Sequence, residues 1–216
     1  MKKAASFALG CKVNQYESEA IAELFAEKGY EIVGIDEEAD VYVINTCTVT
    51  NFGDKKSRQL IRKVKRQNEN AIVAVVGCYA QTAPKELMEI AGVNLVIGTK
   101  DRAQIVEMVE QYDRANGVEN HVSDIMKERV FEPLSIQKLA NRTRAYLKIQ
   151  DGCSQYCSYC IIPYARGPIR SREPQEVVAE VKRLAKNGFK EVVLTGIHVA
   201  SYGKDRRDTS LLDILK

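Results

Sequence analysis

The sequence predicts an α/β protein built on an open parallel sheet with helices on both faces, followed by the beginning of a second α/β unit. Two patterns carry that expectation. Across residues 1–112, short apolar runs alternate with amphipathic stretches of helical period, as expected for strands buried between two helical layers. The same alternation starts afresh at residue 144.

Taken in order, AASFAL predicts a strand and 14–28 a helix, and YEIVGI at 30–35 is a candidate for an additional strand. VYVIN at 41–45 precedes a helix over 54–67, AIVAVVG at 71–77 precedes one over 83–91, and NLVIG at 94–98 precedes one over 101–112. Residues 113–143 are polar and weakly periodic and read as a linker. The later unit, 144–216, opens with RAYLKIQ as a strand, continues through a cysteine-rich loop and a helix begun by EPQEV, and reaches a strand in EVVLTG. TSLLDILK then starts a helix for which Thr209 or Ser210 supplies the cap. There is no internal repeat and no low-complexity segment.

With 45% hydrophobic and 28% charged residues the composition is that of an ordinary globular protein, and a net charge of +3 permits an acidic partner without demanding one. No apolar run approaches the roughly 20 residues of a membrane span, so no membrane association is expected. The start, MKKAASFALGC, imitates a bacterial lipoprotein signal, but its apolar stretch is short and runs straight into KVNQYESE. The expected compartment is the cytoplasm, where the six thiols stay reduced and bind metal rather than pair.

Cys153, Cys157 and Cys160 form a C-x3-C-x2-C loop with no histidine nearby, since His121 lies in the linker and His198 beyond the last predicted strand. Structural zinc takes four protein ligands. An iron-sulfur cluster tolerates three thiolates and leaves one iron open to a small molecule. Cys11, Cys47 and Cys78 each follow the end of an apolar run. In a parallel sheet the carboxyl ends of the strands share one edge, where ligands collect, so these three thiols are expected to converge on a second metal centre.

The loop DGCSQYCSYCIIPYARG, with Tyr159 before its last cysteine, resembles the signature of radical S-adenosylmethionine (SAM) enzymes. Together with LGCKVNQYESE, VINTCTVT and VVGCYAQ, it is similar to the methylthiotransferases through essentially the whole chain. The flanks TRAYLKIQDGC and LTGIHVASYG most resemble the branch that modifies N6-threonylcarbamoyladenosine in tRNA beside the anticodon. The branches acting on isopentenyladenosine in tRNA and on a ribosomal-protein aspartate share the cysteines but resemble these flanks less.

This resemblance implies two 4Fe-4S clusters. Cys153, Cys157 and Cys160 would hold the one that chelates SAM; Cys11, Cys47 and Cys78 would hold an auxiliary one that carries the sulfur to be inserted. Tyr159, Thr195, Gly196 and His198 fall where the family's fold touches SAM. In the family a SAM-derived radical takes a hydrogen from an unactivated carbon and a methylthio group is inserted there, at C2 of the modified adenosine in this branch. An electron donor and a sulfur source are implied as partners besides tRNA. The later unit would be the first part of a (β/α) partial barrel, because a full barrel takes about 250 residues. The family's chains continue beyond it, so the 216 residues are expected not to turn over substrate alone.

Two basic groups are candidate phosphate contacts. On the helix over 54–67, Lys55, Arg58, Arg62, Lys65 and Arg66 lie opposite an apolar seam of Leu60, Ile61 and Val64. Around the compact loop stand Arg142, Arg144, Lys148, Arg166, Arg170 and Arg172, interleaved with Tyr156, Tyr159 and Tyr164. The plainer alternatives are a solvated helix face and side chains that balance the charge of a cluster. Two rival functions remain: a zinc-bound, non-catalytic nucleic-acid module, and a protein whose clusters only transfer electrons. The second has little use for three-ligand sites, since electron-transfer clusters usually take four thiolates.

Overall fold

A computed structural model describes residues 1–48, 51–136 and 143–216, except for the side chains of 51–54. Its first unit is a six-stranded sheet in the order β2-β1-β3-β4-β5-β6, parallel throughout. The elements run β1 (Lys3–Ala8), α1 (Lys12–Glu27), β2 (Glu31–Ile32), β3 (Val41–Thr46), α2 (Asn51–Gln67), β4 (Ile72–Gly77), α3 (Cys78–Thr82), α4 (Pro84–Met88), β5 (Leu95–Ile97), α5 (Ile105–Gln111) and β6 (Glu119–His121).

Alternate residues of the central strands serve two cores. Tyr42, Ile44, Val73, Val75 and Val96 pack with Ile61 and Val64 of α2, Tyr79 of α3 and Leu87 of α4. Their neighbours Val41, Val43, Ala74, Val76, Leu95 and Ile97 pack with Ile21 and Phe25 of α1 and Ile105, Val106 and Val109 of α5. Period-two alternation sends successive side chains to opposite faces, and because both faces are covered the strands are apolar throughout. Each fully buried aliphatic side chain contributes about 1.5–3 kcal/mol. The expected layering is therefore present, with α1 and α5 on one face and α2, α3 and α4 on the other.

The stretch expected to be a linker is part of the packing. Residues 119–121 form β6, which pairs with β5. Leu134 and Ile136 are buried against Tyr16 and Ala20 of α1, and the Tyr16 hydroxyl donates to the Leu134 carbonyl. The polar sequence hid β6 because a short edge strand is held by backbone hydrogen bonds. YEIVGI likewise yields only the two-residue β2 at the other edge.

The second unit comprises β7 (Arg144–Asp151), α6 (Ile162–Arg166), β8 (Arg170–Ser171), α7 (Pro174–Lys186), β9 (Glu191–Gly196) and α8 (Leu211–Leu215). β7 pairs in parallel with β9 and antiparallel with β8. Val177 of α7 packs against Leu147 and Ile149 of β7, so β7, α7 and β9 form the strand-helix-strand crossover with which a (β/α) barrel begins. Helix α8 starts with a capping box in which Ser210 and Asp213 bond reciprocally, in line with the expected cap. Helix α1 lies against β7, bringing the two units into contact.

Candidate metal centres and the seam between them

Strands β1, β3 and β4 are neighbours in the sheet, and Cys11, Cys47 and Cys78 follow their carboxyl ends. Strand order reverses between β1 and β3, the point at which open α/β sheets collect ligands. Strands lie about 4.8 Å apart, so three adjacent ends present their thiols along one short edge.

Asn14, on the first turn of α1, ties that edge together. Its Nδ2 donates to the Leu9 and Thr46 carbonyls at 2.9 Å each, and its Oδ1 lies 3.4 Å from Cys11 Sγ. Leu9 and Thr46 are the residues leading into Cys11 and Cys47. Gly10 lies so close to Cys47 that an added Cβ would stand 2.7 Å from Cys47 Sγ, and its φ of +105° suits glycine. Cys78 is buried whereas Cys11 is exposed, and a cleft of about 380 Å³ opens beside Cys11, lined by Gly10, Gln15 and Ser18. Burial raises the Cys78 thiol pKa, with the Arg166 guanidinium opposing that shift.

The second trio sits on the loop between β7 and α6. Cys153 N–H donates to the Gly167 carbonyl at 3.0 Å, and Cys160 N–H donates to the Cys157 carbonyl at 2.9 Å. Tyr156 adopts a positive φ of 48°. Cys157 is exposed and its two companions are half-buried. Among the described residues, no three His, Cys, Asp or Glu side chains are gathered tightly enough to hold a single metal ion. What the backbone supplies is two sets of three thiols, a donor set that suits an iron-sulfur cluster with one iron left open.

The residues expected to contact SAM lie near that loop, except that Tyr159 points into solvent at 90% exposure. Thr195 is buried and pairs across the sheet with Lys148. Gly196 lies against Gln150, and the Gln150 Oε1 accepts the His198 N–H at 2.8 Å. Gln150 also donates to the Asp151 and Gly152 carbonyls, so β9 is fastened to the residues just ahead of Cys153. The His198 ring is occupied by Ser201, with Nδ1 2.6 Å from Oγ.

Between the trios runs a buried ionic seam. Glu17 of α1, fully buried, meets Arg102, Lys148 and Arg166 at 2.6, 2.8 and 2.6 Å. Lys148 also reaches Asp151 at 2.8 Å, Arg170 approaches Asp151 at 3.6 Å, and Arg102 holds Glu132 through two nitrogens. Four cations thus face three carboxylates. Burial alone would raise the Glu17 pKa, but Arg102, Arg166 and Lys148 outweigh it and hold the carboxyl well below its usual range. The surplus positive charge stands beside Cys78, where an anionic cluster would need it.

This seam corrects the reading of the basic residues around the compact loop. Lys148, Arg166, Arg170 and Arg172 are buried, the last beside Glu176 and Glu180, so they do not offer themselves to phosphates. They are charge-balancing and packing groups, the plainer of the two readings. Arg144 is exposed and paired with Glu191, and Arg142 lies outside the described residues. Tyr156 and Tyr164 are half-exposed and meet edge to face at 6.4 Å. On α2, Ile61 and Val64 are fully buried as expected, but Lys65 turns back to cap the Glu69 and Ala71 carbonyls and Arg58 lies over the Tyr79 ring. Lys55, Arg62 and Arg66 remain exposed.

Sequence reasoning missed Glu17, Asn14, Arg102 and Asp151. One signal was present: Glu17 falls on the same face of α1 as the buried Val13, Ala20 and Ile21, and an acid on a core stripe requires a partner.

An α/β protein that sets two three-thiol sites on either side of a buried ionic seam is a candidate two-cluster protein. Residues 3–98 match the family described as uncharacterized protein family UPF0004, and residues 147–214 match the radical SAM superfamily. The threonylcarbamoyladenosine tRNA methylthiotransferase of Bacillus subtilis is 53% identical over 215 residues, covering 100% of this chain and 48% of the relative. Its counterpart from Aquifex aeolicus is 43% identical, covering 94% and 50%. A tRNA-2-methylthio-N(6)-dimethylallyladenosine synthase from Dictyoglomus thermophilum is 34% identical, covering 95% and 47%. The chain belongs to the radical SAM methylthiotransferase family, and it spans about half the length of the curated relatives it matches.

Proposed function

We propose that this protein takes part in inserting a methylthio group at C2 of N6-threonylcarbamoyladenosine beside the tRNA anticodon. The observation that carries the reading is the placement of three thiols at the ends of three adjacent parallel strands, joined through Arg166 to a second three-thiol loop. Bound 4Fe-4S clusters and SAM would supply the radical chemistry and the inserted sulfur. Cys153, Cys157 and Cys160 hold the SAM-chelating cluster, and Cys11, Cys47 and Cys78 hold the auxiliary one.

The remaining roles follow from position. Gly196 and His198, fastened to Gln150, border the SAM site together with Thr195, and Tyr159 lies on the same cysteine loop with its ring in solvent. Lys55, Arg62 and Arg66 contact tRNA phosphates from the exposed face of α2. The six-stranded sheet and its helices, through β6, form the auxiliary-cluster unit, and 144–216 form the SAM-binding unit. An electron donor and a sulfur source complete the set of partners. The setting is the cytoplasm, and among the described residues no helix is long and apolar enough to cross a membrane.

A relative named for dimethylallyladenosine favours a second reading, in which the substrate is isopentenyladenosine in tRNA. The greater identity to the threonylcarbamoyladenosine enzymes supports the first. Mass spectrometry of tRNA nucleosides from cells with and without the protein separates them. The expected result is loss of the methylthio group from threonylcarbamoyladenosine alone. Its loss from isopentenyladenosine would select the second reading, and loss from neither would reject both.

A further inference from the structure

Arg166 ends α6, six residues after Cys160, yet its side chain reaches into the other unit. Its Nε donates to Cys78 Sγ at 3.1 Å, its Nη1 donates to Glu17 Oε1 at 2.6 Å, and its Nη2 donates to Asn14 Oδ1 at 2.6 Å and to Glu17 Oε2 at 3.1 Å. Asn14 is the side chain that ties Leu9 to Thr46 and touches Cys11. One guanidinium therefore meets one thiol directly and a second through a single intervening amide. The next residue, Gly167, accepts the Cys153 N–H from the other trio, and the Thr99 hydroxyl donates to the Ala165 carbonyl at 2.7 Å, securing α6 from the far side of the seam.

We infer that Arg166 is a positioning residue with two effects: it fixes the Cys11–Cys47–Cys78 site relative to the Cys153–Cys160 loop, and it biases the cluster held by the first trio toward its reduced state. The inference rests on the reading that this trio holds a cluster. Reduction adds negative charge that is shared by the ligand sulfurs. An N–H aimed at one of those sulfurs, on a side chain that is always charged, stabilises the reduced form more than the oxidised one. Lysine cannot substitute, because three donor directions are used at once and an ammonium is a point charge without the planar fork. Lys148 makes no such contact, since its hydrogen bonds go to Glu17 and Asp151.

The test uses the whole 216-residue chain carrying Cys153→Ala, Cys157→Ala and Cys160→Ala, so that one cluster is observed alone. After anaerobic reconstitution, its midpoint potential is measured by a redox titration followed by electron paramagnetic resonance. Arg166→Lys and Arg166→Met are compared with Lys148→Met, which cuts the same seam without touching a thiol. Both Arg166 variants should shift the potential negative by a factor of about ten in the preference for reduction, ~59 mV for one electron, while Lys148→Met, which removes a more distant charge and no N–H to sulfur, shifts it by much less. A cluster that forms in either Arg166 variant at an unshifted potential overturns the inference and leaves the proposed function standing. Equal shifts in Arg166→Lys and Lys148→Met also overturn it, because the effect would then belong to the seam as a whole. If the triple-alanine chain with Arg166 intact binds no cluster, the reading of the site fails, and the inference with it.

Discussion

Lys148 Nζ lies 2.8 Å from Glu17 Oε1, linking the first strand of the second unit to the first helix of the first across 131 positions of sequence. Both side chains are buried, and three cations meet at the one carboxylate. Removing one partner from a buried ion network leaves the others uncompensated, at a cost of about 3–5 kcal/mol. Glu17→Ala should lower the free energy of unfolding by about that amount in urea titration. Glu191→Ala, which cuts the exposed Arg144 pair, should leave the midpoint nearly unchanged.

The same carboxylate predicts how stability depends on pH. Glu17 is held below its ordinary range by Arg102, Arg166 and Lys148 against the opposing effect of burial, with Asp151 adding a second negative charge nearby. A depressed folded-state pKa contributes stability that is complete above the unfolded value, about 4.3, and is lost as pH falls toward the folded one. Urea midpoints between pH 7 and pH 3 should therefore stay level to about pH 5 and then fall. Glu17→Gln should start lower and show a shallower acid limb. An acid limb of unchanged steepness would contradict the assignment.

Much of this was legible in the sequence, and the reason is geometric. Doubly covered parallel strands are apolar runs, so VYVIN and AIVAVVG marked their own ends and thereby placed Cys47 and Cys78 at one sheet edge. Helix α3 escaped notice because CYAQT is a single short turn with no period to read. The fate of the basic residues was not legible. A lysine in a strand has the same letter whether it meets solvent or a carboxylate 131 positions away, and the partner, Glu17, was hidden inside a helix that otherwise looks ordinarily amphipathic.

Gly10 offers a local test of the sheet-edge site. Gly10→Ala would place a methyl group 2.6 Å from Cys47 Cβ in a backbone conformation that costs an L-residue roughly 1–2 kcal/mol. Iron bound by Cys11, Cys47 and Cys78 should fall by more than half, while iron at Cys153, Cys157 and Cys160 is retained. Metal analysis in backgrounds lacking one trio or the other checks both halves.

RNA binding should separate exposed from buried cations. Arg62→Ala and Arg66→Ala should each weaken tRNA binding and reduce the slope of log K against log salt by about 1. Filter binding across a salt series measures this. Unchanged slopes would make α2 a solvated face only.

Iron content decides whether the two trios are separate cluster sites. After anaerobic reconstitution the chain should carry about eight irons and absorb as a 4Fe-4S protein, and Cys157→Ala and Cys47→Ala should each remove about half of the iron, their combination nearly all of it. Stoichiometric zinc on a colourless protein, or complete loss of iron from either single substitution, would contradict it.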